Sequence, residues 1–120
     1  MASKERTRVL LVDDQKLFIG SLRYVLESRA PDLEIVGIAA NGIEAIELTR
    51  IHHPDIILMD VRMPEMDGVQ ATRLIHQMFP AIRILMLSTF DDDTYVRQAL
   101  GHGAIGYLIK DIEPSEVINA

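Results

Sequence analysis

Four short apolar stretches of the sequence each run into residues able to do chemistry. Residues 9–12 lead into Asp13-Asp14, 56–59 into Asp60, 84–87 into Ser88-Thr89, and 104–109 into Lys110. If the stretches are parallel strands, all of these residues gather at one edge of a sheet. Three carboxylates there repel one another and raise each other's pKa, which is costly unless a hard divalent cation sits among them. A set of oxygen ligands favours Mg²⁺ over zinc. An ammonium and a small hydroxyl on the same edge supply charge neutralisation and a hydrogen bond, as an incoming phosphoryl group requires. A carboxylate nucleophile with Mg²⁺ and lysine points to phosphoryl transfer onto aspartate.

The elements that must position these groups are legible from periodicity. The apolar runs, with 35–38 as a fifth, do not alternate with polar residues, and continuous Ile- and Val-rich runs describe strands buried on both faces of a parallel sheet. Helical stripes fall between them: Phe18, Leu22, Val25 and Leu26; then Ile43, Ala45, Ile46 and Leu48; then Val69, Leu74 and Met78. Asn41-Gly42-Ile43-Glu44 and Asp67-Gly68-Val69-Gln70 have the form of capping boxes at helix starts. Pro31, Pro54 and Pro80 separate a helix from the next strand. Pro114, behind Glu113 and ahead of Glu116, suits the first turn of a last helix. Only about two turns of it precede Ala120, so a truncated last helix and a longer parent protein are expected. The order βαβαβαβαβα predicts a doubly wound α/β fold, a parallel sheet with helices on both faces. Such sheets bind ligands beyond the carboxyl ends of their strands.

Composition excludes several classes. A chain of 120 residues, 48% apolar and 25% charged, is read as one domain spanning 1–120 rather than a disordered segment. With 12 Lys+Arg against 18 Asp+Glu, no basic surface exists for direct nucleic-acid binding. Cysteine is absent, which removes disulfides, thiolate metal sites and cysteine nucleophiles and points to the cytosol. No apolar run is long enough for a signal-peptide core or a membrane span.

Plainer roles exist for each residue taken singly. Asp13-Asp14 suit a strand exit and a helix cap, Asp60 a turn, Lys110 a solvated strand end, and Ser88 a small turn residue. Their shared edge favours the chemical reading. Asp91-Asp92-Asp93 are read as capping a helix and favouring its dipole, not as a metal site. His52, His53, His76 and His102 lack partners at ligand spacing and are expected on the solvated surface. Met59, Met63, Met66, Met78 and Met86 form no stripe and read as core or loop filler.

The fragments Val12-Asp13-Asp14, Met59-Asp60-Val61-Arg62-Met63-Pro64-Glu65-Met66-Asp67-Gly68, Leu87-Ser88-Thr89 and Gly106-Tyr107-Leu108-Ile109-Lys110-Asp111, in this order, resemble the CheY-like receiver domain of two-component response regulators. The resemblance covers nearly the whole chain. It implies a flavodoxin-like sheet of strand order 2-1-3-4-5 and a signalling module that catalyses its own phosphorylation and dephosphorylation. Asp60 would accept a phosphoryl group from a phosphohistidine of a cognate sensor histidine kinase. Asp14, Asp60 and the backbone carbonyl of Arg62 would bind Mg²⁺ directly, with Asp13 acting through a water. Lys110 would pair with the phosphoryl oxygens, Ser88 would hydrogen-bond them, and Tyr107 would turn inward in response. Arg62 and Phe90 flank the site and are expected to slow hydrolysis of the acyl phosphate. Members commonly follow the lysine with a cis proline, whereas Asp111 stands here, leaving the geometry of that bond open.

The Lys-Asp ending, Ser88-Thr89-Phe90 and Gly103-Ala104-Ile105-Gly106-Tyr107 resemble the NarL/FixJ subgroup, whose receiver precedes a helix-turn-helix module absent from this chain. Output is then expected as a dimer formed on phosphorylation. The fourth helix, fifth strand and fifth helix offer one face for it; the first and fifth helices offer another, with Phe18, Leu22 and Tyr24 as contacts. Rival classes fit less well. A haloacid-dehalogenase-type hydrolase wants a second acid where Arg62 stands, and a flavodoxin-like carrier wants a hydroxyl- and Gly-rich loop where Asp13-Asp14 stand. An unphosphorylated pseudo-receiver is opposed only by the intact acidic triad.

Overall fold

In the computed structural model, residues 6–89 and 92–110 are described. Along the chain come β1 (Thr7–Val12), α1 (Lys16–Arg29), β2 (Leu33–Ala39), α2 (Gly42–His52), β3 (Ile56–Asp60), α3 (Gly68–Met78), β4 (Arg83–Ser88), α4 (Asp93–Gly101) and β5 (Gly106–Ile109). All pairings are parallel and the strand order is β2-β1-β3-β4-β5, as expected. The last helix expected around Glu113, Pro114 and Glu116, like the Lys110-Asp111 bond, falls outside the described residues.

Side chains alternate across the sheet into two apolar layers. Leu10, Val12, Ile57, Met59, Ile84 and Met86 pack with α2, α3 and α4 on one face. Val9, Leu11, Leu58 and Leu87 pack with Ile19, Leu22 and Leu26 of α1 on the other. Burial on both faces holds for the central strands β1 and β3 and most of β4. It fails at the edges: β2 and β5 are mostly half-exposed, because each has a neighbour on one side only. The expected stripes are also shifted. Ile19 rather than Phe18 is buried in α1, and in α3 the buried face is Val69, Ala71, Thr72 and Ile75, leaving Met78 exposed. Small residues escape a search for large apolar ones, yet they let a helix lie close on a sheet.

The N-cap half of both expected boxes forms, and Glu44 reaches back to the Ala40 amide at 2.9 Å rather than to that of Asn41. Asn41 Oδ1 accepts from the Glu44 amide at 3.0 Å, and Asp67 Oδ1 accepts from the Gln70 amide at 2.9 Å. These caps fix where α2 and α3 begin, beside the carboxyl ends of the strands. The opposite rim is laced together. The Arg8 amide donates to Asp55 Oδ2 at 2.9 Å, the Asp55 amide to the Arg8 carbonyl at 2.8 Å, and the Arg83 amide to the Asp55 carbonyl at 3.1 Å. The Arg8 guanidinium also donates to the His52 and His53 carbonyls that end α2. His53 and His102 are exposed as expected. His52 and His76 are not: both are half-buried, His76 against Gly103, where a Cβ would lie 2.4 Å from its ring.

Candidate functional site

The carboxyl ends of β1, β3, β4 and β5 carry the residues singled out in the sequence. Asp13 follows β1 directly and is 2% exposed, its amide donating to the Ala39 carbonyl at 2.9 Å. Asp60 closes β3 and is buried, while Asp14 is exposed. One carboxylate oxygen from each of the three lies within 4.8 Å of the others. Lys110 reaches into this cluster, with Nζ 2.9 Å from Asp13 Oδ2 and 3.6 Å from Asp60 Oδ1. Ser88 ends β4 at the same edge, one residue beyond the Leu87 that pairs with Asp60, and its buried hydroxyl has no hydrogen-bond partner among the described residues. Tyr107 stands apart, exposed on β5.

The electrostatics follow from the packing. Burial pushes the Asp60 carboxyl up to about 7; the charge of Asp13 adds to this, Lys110 opposes it, and a hydrogen bond with Asp13 and the charge of Asp14 raise it further. The Lys110 ammonium offsets part of this repulsion, and a proton on Asp60 or a further cation would relieve more. All three donors are hard oxygens at a spacing one ion could bridge, which suits Mg²⁺ and does not suit a thiophilic metal.

A cavity of about 320 Å³ opens over the cluster, lined by Asp14, Gln15, Asp60, Arg62, Thr89, Asp92 and Lys110. A larger apolar cavity of about 440 Å³ beside the end of α1, lined by residues such as Leu26, Ile56 and Leu85, brings no comparable cluster of polar groups together. Asp92 corrects an expectation. It sits at the N-cap position of α4 but makes no side-chain cap. It is 2% exposed instead, with Oδ2 accepting from the Thr89 amide and hydroxyl, each at 2.9 Å, and Oδ1 2.6 Å from Arg62 Nε. The Arg62 guanidinium also lies 5.0 Å from the Tyr95 ring centroid, so it ties the loop after β3 to α4. A buried carboxylate that loses its cation is penalised, although the half-exposed Arg62 tempers the loss. Arg62→Ala is expected to destabilise the chain by about 1–2 kcal/mol, measured by urea unfolding. An unchanged midpoint would show that the pair contributes nothing. Phe90 lies outside the described residues.

Sequence reasoning missed Gln15 and Phe18 as well as the inward turn of Asp92. Both Gln15 and Phe18 touch the Lys110 ammonium. Gln15 had a faint signal: glutamine is a poor helix cap, so its place before α1 asks for another reason.

A parallel 2-1-3-4-5 sheet with acids after β1 and β3 and a lysine after β5 defines a class, and residues 9–120 match its family: the chain belongs to the response regulator receiver domain family. Among its relatives, it is 41% identical over 118 residues to the transcriptional regulatory protein YxjL of Bacillus subtilis, covering 98% of this chain and 54% of that protein. It is 36% identical over 120 residues to the nitrate/nitrite response regulator NarL of Escherichia coli K12, covering 100% of this chain and 55% of that protein. Among solved structures, the receiver domain of NarL from Mycobacterium tuberculosis superposes with a TM-score of 0.85 at 36% identity, covering 96% of this chain and 94% of that one. The NarL likeness read from the sequence is thus met. The chain spans about half the length of the curated relatives it matches. Among the described residues, no helix is long and apolar enough to cross a membrane.

Proposed function

We propose that the chain, as a single receiver domain over 1–120, is the phosphoacceptor part of a cytoplasmic two-component response regulator. The observation that carries this reading is the buried Asp60 carboxylate, clustered with two further carboxylates and 3.6 Å from a lysine ammonium. An Asp60 oxygen attacks the phosphorus of a phosphohistidine on a partner sensor kinase. The P–N bond breaks, and the imidazole leaves with the electron pair and takes a proton. Lys110 meets charge building on the phosphoryl oxygens, and the unpartnered Ser88 hydroxyl is available to donate to them. Asp14, Asp60 and the Arg62 carbonyl would hold Mg²⁺ directly, and Asp13 through a water. The ion, when bound, supplies neutralising charge at the phosphoryl oxygens. The same residues, with water as nucleophile, reverse the modification.

Movement of Ser88 toward the phosphoryl group would let Tyr107 turn inward from its exposed position on β5. Of the two faces considered for dimerisation, that of α4 and β5 has the exposed Tyr95, Ile105 and Tyr107. On α1, Leu17 and Tyr24 are exposed, but Leu22 is fully buried and Phe18 turns to Lys110, so neither of those serves as a contact there. Output on DNA would pass through a module outside this chain, consistent with relatives named as transcriptional regulators.

The test is intact mass after incubation with Mg²⁺ and a small acyl phosphate. One phosphoryl adduct is expected, absent without Mg²⁺ and absent in Asp60→Asn. A folded, Mg²⁺-binding chain that neither gains the adduct nor hydrolyses the donor would instead be a pseudo-receiver.

A further inference from the structure

The lysine of this site is borne by an edge strand, with β4 between it and the acceptor strand β3. Its flexible four-carbon stem must cross the end of β4 to bring Nζ over Asp60, and such a stem has many other rotamers. Two residues at the start of α1, its N-cap Gln15 and Phe18 in its first turn, meet the ammonium where it arrives. Gln15 Oε1 accepts a hydrogen bond from it, and the Phe18 ring lies with its centroid 4.9 Å away. Gln15 holds the N-cap position of α1 yet makes no side-chain cap, so its amide group is free for the lysine. Its backbone N–H donates to Asp13 Oδ1 at 2.8 Å, while Asp13 Oδ2 faces Lys110 at 2.9 Å. Asp13, Gln15 and Lys110 therefore close a ring of contacts at the start of α1. Phe18 stands three residues on, about one helical turn, and so reaches the same ammonium.

The chemistry of the two holders matters. A neutral amide oxygen accepts an ammonium N–H without cancelling its charge, and an aromatic face attracts the cation without offering a proton acceptor. A third carboxylate in either place would hold the lysine and also neutralise it. We infer that Gln15 and Phe18 are positioning residues that hold the Lys110 ammonium beside Asp60, without adding a further negative charge to those of Asp13 and Asp60, before a phosphoryl group arrives. The inference rests on the phosphoacceptor reading above.

The experiment compares wild type with Gln15→Ala, Phe18→Leu and Phe18→Tyr. Phosphoryl uptake from a small acyl phosphate is expected to slow about tenfold in Gln15→Ala and Phe18→Leu, with Phe18→Tyr restoring it because the ring face is kept. Mg²⁺ affinity by calorimetry and the melting temperature should stay near wild type. NMR of Lys110, one of three lysines in the sequence, gives a readout that a packing role would not move. Its ε-protons should be ring-shifted upfield in wild type and Phe18→Tyr, displaced in Gln15→Ala, and returned to the ordinary lysine position in Phe18→Leu. Wild-type uptake with unmoved Lys110 signals would overturn the inference. So would slow uptake that merely tracks a lower melting temperature. If wild type takes up no phosphoryl group but the Lys110 signals respond as stated, the phosphoacceptor reading falls and the cradle stands.

Discussion

Gly68→Ala is expected to cost at least about 4 kcal/mol of stability, a size reserved for forced overlap in a packed interior. A Cβ on Gly68 would lie 2.0 Å from the carbonyl oxygen of Asp60 and 3.0 Å from Met59 Cγ. The obstacle at 2.0 Å is backbone, so no side-chain rotation relieves it. The Gly68 amide also donates to the Val61 carbonyl at 2.8 Å, and Asp67 ahead of it caps α3, so the helix start is held from two directions. Relief requires moving either the end of β3, which carries Asp60, or the whole first turn of α3. Urea unfolding measures the loss, and a change below about 1 kcal/mol would mean that helix and strand part easily.

The second large effect sits at Asp60 itself, on the strand end that Gly68 abuts. Asp60→Asn is expected to stabilise the chain at neutral pH in the absence of divalent cations, by on the order of 2–4 kcal/mol. The Asp60 carboxyl, with its pKa pushed from 3.8 up to about 7, keeps its proton in the folded chain through a range where the unfolded chain has lost it. Its stabilising contribution is full below about pH 4 and is lost as pH rises toward 7. Asparagine has no proton to lose. Unfolding in chelator at pH 4.5 and 7.5 should show the difference between the two proteins widening upward in pH. Added Mg²⁺ at pH 7.5 should then raise the midpoint of wild type more than that of the variant. A difference independent of pH would show that the buried carboxylate carries no such load.

The central strands were legible because β1 and β3 are apolar on both sides, and the starts of α2 and α3 because Asn41 and Asp67 carry oxygens at capping distance from the right amides. The acidic cluster was legible because Asp13, Asp14 and Asp60 each lie at or beside a strand end, where topology alone brings them together. What stayed hidden depends on side-chain direction. Three adjacent acids look equivalent in sequence, yet Asp92 is buried and faces Arg62, while Asp93 is exposed. Phe18 reads as one more apolar position of α1, and nothing in its spacing says that its ring meets a cation from β5. The Ala71-Thr72-Ile75 face of α3 was missed for the opposite reason, since small and hydroxylated residues do not stand out as core.

The interlocked amides and carbonyls of Arg8, Asp55 and Arg83, with the Arg8 guanidinium seated on the end of α2, cross-brace the rim opposite the carboxylates. Each central strand is thereby braced at its origin and bears a polar side chain, Asp13, Asp60 or Ser88, at its tip. The tips are tied as well, by single backbone bonds from Asp13 to Ala39, Val61 to Leu87 and Lys110 to Ser88 and by the Lys110 ammonium, so a change of charge among the carboxylates loads these few bonds before it reaches the rest of the sheet.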